Sequence, residues 1–321
     1  MEKEIGGYLQ LEEMPGEEYY TDLYRANLGR TALLWLLESR ECKKIILPYF
    51  LCEAVVHTCR ESHIQMEFYH LNEKLEVQYP KRKLSGGEYL YLVSYYGQLP
   101  DEQILEYKKI YGNIIVDHTH AFFRKPLKGI DTLYSCRKFW GVSDGAYLST
   151  DAQLTENKIP DYSAERMKHI LGRYERGAGI YYKDMLANAA KYDGMEIRQM
   201  SALTRNLLRA VDYAGAKEKR EANYRILKEV LPSRSIFNRI FPEGPFAYPY
   251  FHVNGIQLRR KLAERKIFVP TYWKNVIEDC DKNSPEYNWA ANILPLPCDQ
   301  RYDGEDMKYM AAVIRECEEL E

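Results

Sequence analysis

The stretch of sequence best suited to chemistry is IIVDHTHAFFRKPLKGIDTLYSCRKFW, which runs from Ile114 to Trp140. One apolar segment ends in Asp117, and a second apolar segment is followed by Lys138. Because ligands of open α/β sheets bind outside the carboxyl ends of the strands, we expect the carboxylate and the amine to face one crevice. A lysine amine in such a crevice can form a Schiff base with a carbonyl group and then move protons as a general base and acid.

This pair of residues suits one cofactor in particular, pyridoxal 5'-phosphate. A carboxylate paired with its pyridine nitrogen keeps that nitrogen protonated, so that the ring withdraws electrons from a carbanion, while a lysine holds the aldehyde. Asp117 and Lys138 are the candidates for these roles. A metal site on Asp117, His118 and His120 is set aside, because on an extended chain Asp117 would point away from both histidines.

The composition disfavours several classes of protein. The chain has 321 residues, with 45 basic and 47 acidic side chains, a net charge of −2 and 45% hydrophobic residues. This hydrophobic content is typical of a globular protein with a large core, and the length predicts roughly two domains. So small a net charge gives no long-range field to attract a phosphate backbone, which argues against nucleic acid as the principal partner.

Membrane, secreted and disulfide-bonded proteins are disfavoured as well. The longest apolar run, TALLWLL at Thr31–Leu37, is far shorter than the roughly 20 residues of a membrane-spanning helix. The N-terminal MEKEIGGYLQLEEM lacks the basic and apolar regions of a signal peptide, so we expect a cytoplasmic protein. The seven cysteines are odd in number and include no Cys-x-x-Cys pair, which indicates reduced thiols.

Elements that could position Asp117 and Lys138 alternate along the first half of the chain. A helix is predicted over Arg30–Arg40 from its helical apolar period. Short apolar segments predict strands at Ile45–Pro48, Gln65–Tyr69, Tyr89–Val93, Asn113–Val116 and Thr132–Tyr134. Helices are predicted between them at Cys52–Arg60 and Asp101–Tyr111. This alternation is typical of an α/β protein with a mainly parallel sheet and helices on both faces.

The second half of the chain has a different pattern. Residues Ser163–Val230 are charged and helical in period, and two strand-like segments follow at Ala247–Val253 and Ile267–Pro270. A terminal helix is predicted from Glu305. We therefore expect a smaller α+β domain at the C-terminus, with the chain divided into 1–205 and 206–321.

A set of short motifs carries a resemblance to a known family. In chain order they are Gly29–Leu33 (GRTAL), Ile46–Tyr49 (ILPY), Ser94–Gln98 (SYYGQ), Asp117–Ala121 (DHTHA), Ser135–Lys138 (SCRK) with Gly145–Ala146 after it, and Leu294–Pro297 (LPLP). Their order and spacing resemble the fold-type I pyridoxal-phosphate enzymes and, within them, the DegT/DnrJ-type sugar aminotransferase family. The resemblance covers most of the chain and implies that residues 1–205 form the cofactor-binding domain.

The resemblance implies a role for individual residues. Lys138 would be the Schiff-base lysine, Asp117 the partner of the pyridine nitrogen, and His120 a group against the cofactor ring or its phenolic oxygen. At the other end of the cofactor, the Ser135 hydroxyl and two backbone amides would bind the phosphate. These amides, of Arg30 and Thr31, are expected at a helix N-terminus, where free N–H groups and the helix dipole favour an anion.

Three departures from the family pattern leave contacts open. Many members have a phosphate-binding serine five residues before the lysine, where this chain has Leu133. The aromatic residue expected to stack on the cofactor aligns nearest to Cys52, with Tyr49 and Phe50 as neighbours, so the stacking residue is not fixed. Met195–Ser201 replaces a segment whose asparagine usually reaches the phosphate of a partner subunit.

The family resemblance implies a homodimeric aminotransferase that moves an amino group from an amino acid to a keto-sugar nucleotide or a related carbonyl compound. Tyr95–Tyr96 and Tyr272–Trp273 are candidates for lining a sugar-sized pocket, and Cys52 and Cys136 are predicted near the cofactor. One alternative is a non-catalytic homologue that binds the cofactor without transamination. Another is elimination, although the retained Lys138 favours transamination because the family's dehydratases replace that lysine.

Overall fold

A mixed eight-stranded sheet forms the centre of the computed structural model, which describes residues 5–154, 158–231 and 236–319. Within these residues the strands are β1 (Tyr24–Ala26), β2 (Lys44–Pro48), β3 (Gln65–Leu71), β4 (Val77–Gln78), β5 (Glu88–Val93), β6 (Ile114–Asp117), β7 (Asp131–Ser135), β8 (Ala146–Ser149), β9 (Tyr248–Phe251) and β10 (Ile293–Leu296). The α-helices are α1 (Gly29–Ser39), α2 (Glu53–Glu61), α3 (Asp101–Tyr111), α4 (Lys168–Arg176), α5 (Tyr182–Ala190), α6 (Ala202–Leu208), α7 (Tyr213–Val230), α8 (Gly255–Glu264), α9 (Lys274–Asp279), α10 (Pro285–Asn292) and α11 (Gly304–Glu319).

The strand order across the sheet is β1-β8-β7-β6-β5-β2-β3-β4. Strands β2, β3, β5, β6 and β7 run parallel, whereas β8, β1 and β4 are antiparallel to their neighbours. The register pairs Val93 of β5 with Asp117 and Asp117 with Leu133 of β7, so the end of β6 lies between the end of β5 and the middle of β7. The predicted α/β class with a mainly parallel sheet is confirmed.

The apolar strands are buried from both sides, which is why their sequences are continuous apolar runs rather than alternating patterns. In β6, Ile114 and Val116 belong to one hydrophobic cluster and Ile115 to another. In β2, Ile46 belongs to the first cluster and Ile45 to the second. Successive side chains of a strand point to opposite faces, so the two clusters lie on the two faces of the sheet.

A smaller two-stranded sheet pairs β9 with β10 in antiparallel fashion. It shares a third hydrophobic cluster with α7, α8 and α11, and that cluster includes Tyr224, Leu258, Leu294 and Ile314. The first cluster also contains residues from the C-terminal part, such as Phe237 beside Phe50. The division into 1–205 and 206–321 stays a prediction.

The predicted strands and helices of the first half are confirmed, each overlapping an observed element. The prediction of a strand at Ile267–Pro270 is wrong, since these residues follow α8 without pairing to another strand. Their apolar character comes in part from Val269, which is buried in the third cluster. Residues Ser163–Val230 are helical as predicted but are divided into α4 to α7. No helix in the described ranges is long and apolar enough to cross a membrane.

The second cluster should depend on α1, whose Leu36 is fully buried. We expect Leu36→Ala to lower the free energy of unfolding by about 3 kcal/mol, because the substitution leaves a cavity in a packed core. Leu105→Ala is a matched control, since Leu105 also lies in a helix but is 52% exposed. Denaturant unfolding followed by circular dichroism measures both, and equal losses in the two variants would contradict this view of the core.

Candidate active site

The turn that carries Lys138 directly follows β7 and is held by backbone hydrogen bonds. After Ser135 the chain forms a short 3-10 turn, Cys136–Lys138, and the Cys136 carbonyl accepts the backbone N–H groups of Phe139 and Trp140 at 3.0 and 2.9 Å. The N–H of Cys136 donates to the carbonyl of Gly145 at 3.0 Å. Gly145 has a φ of 112°, and a Cβ there would lie 3.3 Å from the Cys136 sulfur, so glycine suits this position.

The Lys138 residue is exposed, but its amine lies among aromatic rings. Its Nζ is 4.6 Å from the ring centre of Tyr272 and 5.9 Å from that of Phe246. Desolvation by the surrounding protein lowers the pKa of Lys138, and the nearby Arg137 lowers this pKa further. The negative charge of Asp117 opposes both effects. The result is an amine that loses its proton more readily than an ordinary lysine.

Asp117 at the end of β6 is a buried carboxylate with two donors. Its Oδ2 accepts a hydrogen bond from the Tyr91 hydroxyl at 2.9 Å, and its Oδ1 accepts one from the Thr119 backbone N–H at 2.7 Å. Burial raises the pKa of Asp117, while the hydrogen bonds from Thr119 and Tyr91 and the charge of Lys138 act in the opposite direction. A carboxylate can accept further hydrogen bonds, so these contacts leave room for a ring N–H.

His120 is buried beside the same amine. Its ring stacks on Phe246 with centroids 4.1 Å apart and an interplanar angle of 17°. Desolvation and the charge of Lys138 hold the pKa of His120 well below its usual range, so the imidazole is neutral. Its Nδ1 is buried and has no hydrogen-bond partner among the residues described. Such an orphaned ring nitrogen is suited to a polar atom of a bound group.

An aromatic wall surrounds His120. The rings of Tyr96, Tyr272 and Trp273 lie 5.5, 5.6 and 5.6 Å from its ring. Tyr96 and Trp273 both have left-handed backbones, with φ of 51° and 56°. This conformation is costly for bulky residues and is held in place only by the packing around it. Tyr95 and Tyr96 are both buried, and the Tyr95 hydroxyl donates to the Phe50 carbonyl, so this pair packs inside the protein.

The three candidates for the stacking residue have separate surroundings. Tyr49 stacks on His70 with centroids 4.4 Å apart, and Phe50 is fully buried 4.4 Å from the ring of Trp273. Cys52 is exposed at the start of α2, close enough to Lys138 to influence the pKa of its amine. Which of them faces a cofactor ring stays a prediction.

The N-terminus of α1 lies next to the lysine turn. A Cβ built on Gly29 would be 3.9 Å from the Cβ of Ser135, so the Ser135 side chain adjoins the first turn of α1. The Thr31 hydroxyl donates to Asn27 Oδ1 at 2.5 Å and accepts the N–H of Leu28 at 3.1 Å. Thr31 thus organises this turn through its hydroxyl, while the first N–H groups of a helix have no acceptor within it.

Two arginines lie at this end of the site, and the sequence motifs indicate a role for only one of them, through the backbone of Arg30. The Arg30 side chain donates to Asp193 Oδ1 at 2.5 Å and to the Tyr192 carbonyl at 3.4 Å. The guanidinium carbon of Arg137 lies 3.9 Å from the ring centre of Tyr192. Arg137 directly precedes Lys138 in the sequence, and this position is the signal that could have identified it.

The predicted site residues form two neighbouring groups. Asp117, His120 and Lys138 lie together at one end, and Arg30, Thr31 and Ser135 lie together at the other. Tyr91 and Phe246, which contact the first group, were not predicted, because nothing in their local sequence marks them. Cys136 is buried beneath the turn that ends in Lys138. The described residues include no cluster of His, Cys, Asp and Glu able to hold a metal ion.

The lowered pKa of Lys138 predicts the pH at which its amine becomes neutral. We expect a titration midpoint below the usual value of about 10.4 for lysine, whereas the hydrogen bond with Glu305 raises the pKa of the surface residue Lys308. NMR of protein with ¹³C-dimethylated lysines, assigned with Lys138→Arg and Lys308→Arg, measures both. Asp117→Asn should lower the Lys138 midpoint further because an attractive anion is lost. A Lys138 midpoint above that of Lys308 would contradict the geometry.

Neither a family model nor a curated protein matches this sequence. Solved structures do match. DesV of S. venezuelae, in complex with a ketimine intermediate, has a TM-score of 0.65 and 15% identity over 91% of this chain and 84% of its own. PseC of Helicobacter pylori, an aminotransferase involved in the biosynthesis of pseudoaminic acid, has a TM-score of 0.60 and 14% identity over 91% and 85%.

A third matching structure is that of an enzyme named as a dehydratase. GDP-4-keto-6-deoxymannose-3-dehydratase, with a trapped PLP-glutamate geminal diamine, has a TM-score of 0.58 and 12% identity over 90% of this chain and 87% of its own. At such identities the matches establish the fold. The chain has the fold of the fold-type I pyridoxal-phosphate-dependent transferases, which it shares with the DegT/DnrJ-type sugar aminotransferases.

Proposed function

We propose that this protein is a pyridoxal-phosphate-dependent aminotransferase that transfers an amino group from an amino acid to a keto-sugar nucleotide or a related carbonyl compound. One observation carries the proposal: the Lys138 amine, with a lowered pKa, lies beside the buried Asp117 carboxylate on this fold. The orphaned Nδ1 of His120 adds a third polar group at the same place. These residues fit the ring end of the cofactor.

Bound pyridoxal phosphate would supply an aldehyde carbon for amine exchange and a ring that accepts electrons. Lys138 would hold the cofactor through its amine and, once released by an amino donor, would carry a proton on Nζ as a general base and acid. The Asp117 carboxylate would face the ring nitrogen, and its negative charge would keep the proton on that nitrogen. Neutral His120 would orient the ring through Nδ1, supported from behind by the stacked Phe246 ring.

The phosphate end would be bound by the start of α1. The backbone amides of Arg30 and Thr31 belong to its first turn, where N–H groups and the helix dipole both favour an anion. The Ser135 hydroxyl, which adjoins Gly29, would donate a further hydrogen bond. On the substrate side, the partly exposed rings of Tyr272 and Trp273 are amphipathic surfaces suited to a sugar.

A test of the proposal uses the visible absorbance of the lysine-bound cofactor. Purified protein incubated with pyridoxal phosphate should develop this band, and a panel of amino acids should discharge it in a half-reaction. Lys138→Ala should lose the band because the attachment point is gone. Lys308→Ala, a substitution of a lysine whose side chain is 60% exposed on α11, is the control and should keep it. An undiminished band in Lys138→Ala would refute the role of Lys138.

A non-catalytic homologue that binds the cofactor is the alternative. Leu133, at the position where many family members have a phosphate-binding serine, is buried in β7 and has no hydroxyl to offer. With a non-catalytic homologue, the absorbance band would form but no amino acid would discharge it. Elimination would instead release a product without the amino group being retained on the acceptor. Analysis of the acceptor by mass spectrometry therefore distinguishes transamination, elimination and the absence of catalysis.

The homodimer is proposed on the basis of exposed apolar side chains on two helices that pack together, α4 and α5. Leu171 and Tyr174 of α4 are 58% and 93% exposed, and Leu186 of α5 is 49% exposed. Clusters of exposed apolar residues of this kind mark interfaces. Helix α4 also adjoins the active site, since a Cβ on Gly141 would lie 3.4 Å from Ile170. A second copy on this surface would lie beside the lysine turn.

The dimer surface predicts an effect on assembly. Leu171→Asp with Leu186→Asp should convert a dimer to a monomer, because two charges would be buried in an apolar contact. Size-exclusion chromatography with light scattering measures the mass. Leu105→Asp is the matched control, as Leu105 is 52% exposed on α3, and should leave the mass unchanged. A wild-type protein that is already monomeric would contradict the proposal.

A further inference from the structure

Arg137 is a cation without an anionic partner. It is exposed, and no carboxylate lies within ion-pair distance of its guanidinium among the residues the structure describes. Its contact with the protein is the face of the Tyr192 ring, 3.9 Å from the guanidinium carbon. Stacking on an aromatic ring fixes the plane of the guanidinium while its N–H groups remain free to donate at the edge.

The neighbouring Arg30 is different in this respect. Its guanidinium forms an ion pair with Asp193 at 2.5 Å and donates to the Tyr192 carbonyl at 3.4 Å. The charge of Arg30 is therefore already compensated within the protein. Both arginines contact Tyr192, and the charge of Arg30 contributes to lowering the pKa of Arg137, so the two side chains are close. Among the described residues Arg137 forms no such ion pair, and only the charge of Asp144, beyond ion-pair distance, acts to offset it.

The location of this cation matches the anion site at the start of α1. Arg30 is the second residue of that helix, Gly29 adjoins Ser135, and Arg137 follows Ser135 by two residues. A phosphate carries close to two negative charges at neutral pH. A helix N-terminus supplies only about half of one positive charge. Neutral donors such as the Ser135 hydroxyl add none, so a further cation is needed to balance the phosphate.

We propose that Arg137 is a further cofactor-binding residue, whose guanidinium donates charge-assisted hydrogen bonds to the phosphate group at the N-terminus of α1. The proposal rests on the proposed function, since the phosphate is that of the cofactor. An arginine suits the role because its planar fork matches two phosphate oxygens at once. The same turn would then present both the phosphate-binding guanidinium and the reactive amine of Lys138.

The adjacency of the two residues has an electrostatic consequence. The positive charge of Arg137 helps to lower the pKa of Lys138. Before a phosphate arrives, this repulsion favours the neutral amine, which is the form that attacks an aldehyde. A bound phosphate would offset the charge of Arg137 and so permit a proton on Lys138 when the reaction requires it.

The experiment compares pyridoxal phosphate with pyridoxal, which has the same ring and aldehyde but no phosphate. Dissociation constants are measured by absorbance and by quenching of tryptophan fluorescence, without any turnover. Arg137→Met should weaken binding of pyridoxal phosphate by about 10- to 100-fold and leave pyridoxal binding nearly unchanged. Arg137→Lys should recover part of the loss through its charge. Arg30→Met, the matched control, should have a smaller effect because Asp193 already compensates that charge.

Each outcome has a defined meaning. If Arg137→Met weakens the binding of both ligands equally, Arg137 has a purely structural role and the proposal is overturned. Unchanged binding of pyridoxal phosphate in this variant would overturn it as well. If wild-type protein binds neither ligand, the proposed function fails. Inorganic phosphate, followed by ³¹P NMR line broadening, then tests the anion site separately. Binding that is lost in Arg137→Met would support the site, and no binding to the wild type would overturn it.

Discussion

The buried carboxylate of Asp117 is the constraint on which the rest of the site depends. An ionised carboxylate taken out of water costs several kcal/mol unless nearby donors and charges offset the loss. Here the offset comes from the Tyr91 hydroxyl, the Thr119 N–H and the charge of Lys138. The Thr119 contact is local, but Tyr91 and Lys138 reach Asp117 because β6 lies between β5 and β7 in this register.

The same low-dielectric surroundings act on three ionisable groups in a coordinated way. Burial raises the pKa of Asp117 and lowers the pKa values of Lys138 and His120. The amine and the imidazole are thereby moved towards their neutral forms, and the carboxylate remains the one group whose hydrogen bonds stabilise its charge. These directions of pKa change are the ones that the proposed attack by the Lys138 amine would favour.

How much of the molecule is predictable from sequence depends on the range of the contacts. Strands such as β2 and β6 can be predicted because burial on both faces leaves continuous apolar runs. Asp117 and Lys138 can be predicted as site residues because Asp117 ends such a run and Lys138 follows another. The prediction of a strand at Ile267–Pro270 is wrong because burial of Val269 in the third hydrophobic cluster gives the same apolar signal as strand pairing. Phe246 was missed because its contact with His120 depends on the tertiary fold.

The two ends of the site differ in the same respect. The proposed phosphate end combines two segments that are distant in sequence, the start of α1 at Gly29 and the turn after β7 that contains Arg137, and each segment carries its own motif. The opposite wall depends on Tyr96 and Trp273, whose left-handed backbones cost of order 1–3 kcal/mol each and persist only through packing. The intrinsic backbone preferences of these residues oppose the left-handed conformation, so no sequence pattern predicts it. The aromatic wall is thus set by packing alone, whereas the proposed anion site brings together two distant segments that short motifs mark in the sequence.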